Sequence, residues 1–134
     1  MNILLFLTPK DDVVYEYENH SLRNLVEKMD AHNLTALPII NSKGKYVKTL
    51  SEGDILRFLK QNDLDLKGSE NVKIKDVIAR RDIKPVKIDC NVEELCNQSL
   101  NQNFIPVIDD TNIFIGIVTR SRILNYFLKS IDKK

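Results

Sequence analysis

The chain repeats itself. Leu37-Pro38-Ile39-Ile40-Asn41 returns as Ile105-Pro106-Val107-Ile108-Asp109, and Tyr46-Val47-Lys48-Thr49-Leu50-Ser51 returns as Phe114-Ile115-Gly116-Ile117-Val118-Thr119, both at an offset of 68 residues. The same offset carries Ile55-Leu56-Arg57-Phe58-Leu59 onto Ile123-Leu124-Asn125-Tyr126-Phe127 without a gap. Self-similarity of this length constrains the fold before any local propensity does, because each copy is one supersecondary unit that has to share a core with the other. Residues 1–60 hold the first copy with an N-terminal segment, 61–73 a polar linker and 74–134 the second copy, together one module.

Both copies read in the same order. Val13 to Tyr17 and Val86 to Ile88 are β-rich openings, and Leu22, Leu25, Val26, Met29 and Val92, Leu95, Cys96 follow at helical spacing. Two short apolar runs come next, joined by Asn41-Ser42-Lys43-Gly44 in one copy and Asp109-Asp110-Thr111-Asn112 in the other, each a hairpin signature. An amphipathic helix through Ile55, Leu56 and Leu59, or Ile123, Leu124, Phe127 and Leu128, closes the unit as β-α-β-β-α. From Val92 to Pro106 the second copy is two residues shorter than the first from Leu22 to Pro38, a deletion at the end of its first helix. Ile74, Val77 and Ile78 predict a short helix leading into the second copy. The fold class is α/β (α+β). A unit of about 55 residues is marginal alone, so two pseudo-symmetric copies are expected to pack sheet to sheet and to form two equivalent clefts.

The 134 residues, 43% hydrophobic and 29% charged, fit one compact module of ordinary globular makeup. Twenty basic and nineteen acidic residues, net charge +1, leave no basic footprint for nucleic acid. The apolar run Ile3 to Leu7 has no basic region before it and no small-residue cleavage site after it, and a bilayer span needs about 20 residues. Cys90 and Cys96, six apart, match neither a redox nor a zinc spacing. A cytoplasmic location with two reduced thiols is expected.

Ser51-Glu52-Gly53-Asp54 stands where a strand ends and a helix begins. Ser51 suits the N-cap, and Asp54 at N3 reaches back as in a capping box, which stabilises by about 1 kcal/mol and needs no ligand. The same helix N-terminus also offers free N–H groups and a hydroxyl to a phosphate, with Asp54 as acceptor for sugar hydroxyls. The second copy has Thr119-Arg120-Ser121-Arg122, keeping the hydroxyl but setting Arg where Asp stood. Arg at N3 opposes the helix dipole by roughly 0.3 to 1 kcal/mol. Either an exposed side chain tolerates that cost, or Arg120 and Arg122 form a phosphate clamp.

These residues carry a resemblance. The repeated unit resembles the cystathionine β-synthase (CBS) domain, and the chain from about Thr8 to Leu128 resembles a CBS pair, or Bateman module, through two Leu/Ile-Pro-Ile/Val strands each followed by a hydrophobic strand and a Ser/Thr-x-x-Asp turn. The resemblance implies an adenosine-containing small molecule as regulatory ligand, with the motif Asp on the ribose, the hydroxyl and basic groups on phosphate, and no other cofactor. Carried over by position, Ser51 and Asp54 would be joined in one cleft by Ile83, Lys84, Pro85, Asn103 and Phe104, with Arg80 or Arg81 on a phosphate. In the other, weaker cleft Thr119, Arg120 and Arg122 would meet Val13, Val14, Thr35 and Ala36. Arg122 departs from the ribose-binding Asp, and Lys48 replaces the glycine found at Gly116, which would narrow the first cleft. The second half is also similar to stand-alone bacterial CBS proteins that bind cyclic di-AMP and regulate a partner enzyme.

The family implies a homodimer formed through helices, for which Leu56, Leu59, Leu124, Phe127 and Leu128 are candidates; these stripes are equally suited to an intramolecular core. It also implies a regulated protein acting in trans. A degenerate pair with empty clefts, serving only as a dimerisation or interaction module, is the alternative. His20 and His32 have no paired metal-ligand spacing, Glu93-Glu94 suit a helix start, and no phosphate-binding glycine loop is present, so no enzyme, metal site, nucleic-acid or membrane partner is expected.

Overall fold

A computed structural model of the chain describes residues 2–132. It contains seven strands and four α-helices among those residues: β1 (Leu7–Pro9), β2 (Glu16–Tyr17), α1 (Leu22–Ala31), β3 (Ala36–Ile40), β4 (Tyr46–Ser51), α2 (Glu52–Gln61), β5 (Val86–Lys87), α3 (Val92–Ser99), β6 (Phe104–Ile108), β7 (Phe114–Thr119) and α4 (Arg120–Asp132). The β-α-β-β-α order read from each copy is present twice. The shorter helix is there too, with 10 residues in α1 and 8 in α3.

Two compact units result, one of residues 14–83 and one of residues 1–13 with 84–134. This differs from the division drawn along the sequence, because each stretch preceding a copy packs on the other copy. Ile3 and Phe6, read only as an apolar run, are 1% exposed in the core of the unit built from the second copy. Ile74 and Val77 are fully buried in the core of the first. The short helix expected through Ile74, Val77 and Ile78 is instead one 3-10 turn, Ile74–Asp76, with Ile78 80% exposed. Burial at i and i+3 suits a three-residue period as well as an α-helical one, which is why the pattern misled.

The first unit has a three-stranded sheet in the order β2-β3-β4, with β2 parallel and β4 antiparallel to β3. Two-residue β2 pairs only with Ile39 and Ile40, so on that side no strand lies beside the missing N–H of Pro38. Leu22, Leu25 and Met29 turn one face of α1 into the core with Leu37, Ile39, Leu50 and Ile55, each such burial stabilising by about 1.5 to 3 kcal/mol. Ser21 caps α1 by accepting the Asn24 N–H at 3.1 Å. Asn33 and Asp63, at positive φ, end α1 and α2 in paired 6→1 and 5→2 hydrogen bonds. Buried Glu16 is held by Lys28 Nζ at 3.1 Å and His20 Nδ1 at 2.6 Å.

The second unit has a four-stranded sheet in the order β1-β7-β6-β5. Pseudo-symmetry extends to fine detail: the ladder slips at Ile39/Ile40 and again at Val107/Ile108. Asn41 Oδ1 accepts the N–H groups of Lys43 and Lys45 in one turn, and Asp109 Oδ1 those of Thr111 and Ile113 in the other. Of the apolar residues read as a dimer stripe or core, Leu59 packs against the first unit's core, whereas Leu56, Leu124 and Leu128 are exposed.

Candidate functional site

Strand β4 delivers Ser51 to the start of α2, and the expected capping box is formed. Ser51 Oγ accepts the Asp54 N–H at 3.2 Å, and Asp54 Oδ2 accepts the Ser51 N–H at 3.0 Å. Asp54, only 5% exposed, does more: Oδ1 accepts the backbone N–H of Arg80 at 3.0 Å and Arg57 Nη1 at 3.2 Å. Burial pushes its pKa up, but the hydrogen bonds from Arg80, Ser51 and Arg57 outweigh that and hold it below the ordinary 3.8. Asp54 is therefore a carboxylate at neutral pH.

Beside Asp54 lies a cleft of about 670 Å³, within the range of small-molecule sites. Arg57 and Arg80 bring cations to it, Phe58 and Ile78 an apolar wall, Gln61 and Asn62 amides, and Asp76 a second carboxylate. Arg57 was not singled out in the sequence, although its i+3 spacing from Asp54 on a helix is a usable signal.

The stretch that carries Arg80 is tied down by side chains. Lys48, expected to narrow the cleft, instead directs Nζ to the backbone carbonyls of Lys75, at 3.2 Å, and Val77. Burial lowers its pKa, opposed by Glu18, Asp76 and Asp54. Tyr46 donates its hydroxyl proton to the Ile83 carbonyl at 2.9 Å and so accepts from Thr49 Oγ1 at 2.8 Å. Neither Tyr46 nor Thr49 carries a local sequence signal for this role, since the contact spans 37 residues.

The second unit is arranged differently at the equivalent positions. Thr119 Oγ1 accepts the Arg122 N–H at 3.2 Å, the hydroxyl half of a cap. The Arg122 guanidinium reaches Thr8 Oγ1 at 3.2 Å and the Leu7 carbonyl at 3.4 Å. Arg120 points elsewhere: its Nε donates to the Ser99 carbonyl at 2.6 Å, so the two arginines do not converge as a clamp. Ala36 pairs with Ser51 and Phe104 with Thr119, while Thr35 and Asn103 accept the first N–H of α2 and α4. This register sets each strand opening beside the motif of its own unit, Thr35 and Ala36 by Ser51 where the Thr119 site is expected for them, and Asn103 and Phe104 by Thr119 where the Ser51 site is expected. Val14, Ile83, Arg80 and Arg81 belong to the first unit, and Val13, Lys84 and Pro85 to the second. Both cysteines are free thiols packed against the second unit's core, and burial with Glu94 and Asp89 pushes Cys90 up to about 11. Among the described residues no cluster of His, Cys, Asp and Glu is placed to hold a metal ion, and no helix is long and apolar enough to cross a membrane.

The CBS domain profile matches residues 6–61 and 74–129. The chain belongs to the CBS domain family, as a tandem pair. The CBS pair superposes on a crystal structure of CbpB in complex with c-di-AMP with a TM-score of 0.90 at 24% identity, covering 99% of this chain and 88% of that one. CBSX2 in complex with AMP gives 0.75 at 23% identity, covering 96% of each chain. Among curated relatives, an uncharacterized protein of Methanocaldococcus jannaschii is 25% identical over 138 residues, 81% of this chain and 82% of that protein. Homoserine O-acetyltransferase of Methanococcus vannielii is 23% identical over 111 residues, 81% of this chain, and this chain spans only 22% of that enzyme. The sequence resemblance to a CBS pair is thereby confirmed.

Proposed function

We propose that this CBS pair is a regulatory adenine-nucleotide sensor, not an enzyme, whose occupancy by AMP, ADP, ATP or cyclic di-AMP changes its contact with a partner protein. The observation that carries the reading is Asp54: an ionised, nearly buried carboxylate at a helix N-terminus beside a cleft that also holds two arginines. In this reading Asp54 accepts ribose hydroxyls, Ser51 with Arg80 or Arg81 takes phosphate, and Phe58 and Ile78 face the base. Relatives of the same fold solved with c-di-AMP and with AMP support the ligand class. Calorimetric titration with AMP, ADP, ATP, S-adenosylmethionine and cyclic di-AMP tests it; saturable heat with one of the adenine nucleotides supports the sensor, and no heat and no melting shift with any of them refutes it.

A second reading, a ligand-free interaction module, is favoured by Arg122, which already spends its guanidinium on Thr8 and Leu7 within its own unit. Both readings share a homodimer. Leu124, Leu128 and Ile131 recur at i, i+4 and i+7 on α4 and are 54%, 57% and 65% exposed, an apolar stripe suited to a second copy. A strictly monomeric protein in light scattering would exclude that dimer.

A further inference from the structure

Lys48 and Gly116 occupy the same place in the two repeats, and the chain packed beside each is held by different means. In the second unit β1 adds to the sheet, with Pro9 opposite Gly116. A Cβ at 116 would stand 2.1 Å from the Thr8 carbonyl oxygen, so only glycine admits that strand. Ahead of the two-residue deletion the repeats are offset by 70 residues, as β2 at Glu16 and β5 at Val86 show, so Leu7–Pro9 corresponds to Val77–Ala79. There the sheet stays three-stranded, and Lys48 Nζ takes the carbonyls of Lys75 and Val77 in place of a ladder.

Beyond that point the chain is a strap without regular structure until β5, fastened by side chains of β4 and α2. Lys48 holds the carbonyls of residues 75 and 77, Asp54 the N–H of Arg80, and Tyr46 the carbonyl of Ile83. Between the fastenings the strap presents Ile78 and Arg80 to the cleft. Resting on the nucleotide reading of that cleft, we propose that Lys48 is a positioning residue of the Asp54 site: its ammonium sets the strap so that the Arg80 N–H meets Asp54 and holds the carboxylate at the cleft.

The test compares Lys48→Met, which keeps the aliphatic stem and removes the donor, with Lys48→Arg, which restores donors. Amide hydrogen exchange at Arg80 is read without ligand, with exchange at Leu25 as the control for the intact core, and AMP and cyclic di-AMP are titrated separately. Lys48→Met is expected to speed exchange at Arg80 and to weaken the nucleotide that binds the unaltered protein, each by about tenfold, the loss of one hydrogen bond to a charged group. Lys48→Arg is expected to recover both. Arg80 exchange within about twofold of the unaltered protein overturns the proposal, as does faster exchange with unchanged affinity. If the unaltered protein binds neither nucleotide, the nucleotide reading and the site role of Lys48 fall together, and unchanged Arg80 exchange removes its hold on the strap as well.

Discussion

Asp54 Oδ1 accepts the backbone N–H of Arg80 at 3.0 Å, a contact across 26 residues that joins the first motif carboxylate to the stretch preceding the second repeat. The carboxylate thus serves two ends, fastening a strap and facing a cleft.

Replacing Asp54 separates these ends. Asp54→Ala is expected to weaken nucleotide binding by more than about tenfold, through lost hydrogen bonds to a charged acceptor. It should also lower stability by about 1 kcal/mol or more, since the capping box goes with it. The folded pKa of Asp54 lies below the ordinary 3.8, so its contribution to stability is complete above that value and is lost as pH falls through the folded pKa. Asp54→Asn should therefore flatten the acid side of a melting profile taken from about pH 5 to pH 2. Unchanged affinity in calorimetry would leave Asp54 as a cap alone.

Gly116→Ala tests the close approach of β1. With φ at +152° and the Thr8 oxygen 2.1 Å from the added Cβ, the strand must shift or the backbone must strain. The expected cost is about 1 to 3 kcal/mol, with faster proteolysis before Val13, because β1 is the part of the sheet that can yield. A denaturant midpoint equal to that of the unaltered protein would show that β1 contributes little.

The parts of the molecule legible in the sequence were those written in local spacing or in the repeat. Ser51 with Asp54, the Asn41 and Asp109 turns, and the shorter α3 all follow from residues within a few positions of one another. What was not legible depends on where distant chain lands. Nothing near Ile3 and Phe6 says that they fill the second unit's core, and nothing near Ile74 says that it fills the first. The site shared this limit: Arg57 was within reach of helical spacing, whereas the Tyr46 and Lys48 fastenings involve carbonyls, which every residue offers and no pattern marks. Arg120 shows the converse limit: its nearness in sequence to Arg122 allows a shared target, and the fold sends the two guanidiniums to different carbonyls.

Tyr46 offers a spectroscopic handle on the strap. Burial, opposed by the Thr49 hydrogen bond and aided by the nearby charge of Asp82, pushes its phenol up from 10.0 to about 12. A raised folded pKa means that its stabilising contribution is intact below pH 10.0 and is lost as pH rises towards about 12. Phenolate absorbance should show a late transition that Tyr46→Phe removes, and the variant should melt lower at neutral pH by about 1 kcal/mol, the net value of one hydrogen bond. A Tyr46→Phe titration curve that keeps the late transition would place that phenol elsewhere.

Arg122 bears on how many nucleotides one chain is expected to hold. It stands where Asp54 stands in the other repeat, and its guanidinium fills the reach between α4 and β1 with bonds to Thr8 and Leu7. An arginine offers no acceptor for a ribose hydroxyl, so the unaltered protein is expected to bind one AMP per chain. Arg122→Asp supplies the acceptor beside Thr119 and brings a negative charge to a helix N-terminus, a gain of about 0.3 to 1 kcal/mol. That gain offsets the loss of bonds made by an exposed side chain, so the melting temperature should move little. Calorimetry is then expected to show a stoichiometry of two for AMP. If Arg122→Asp instead abolishes binding of cyclic di-AMP while AMP stays at one, Arg122 is itself a phosphate ligand and the second unit holds the site for the phosphate-rich nucleotide.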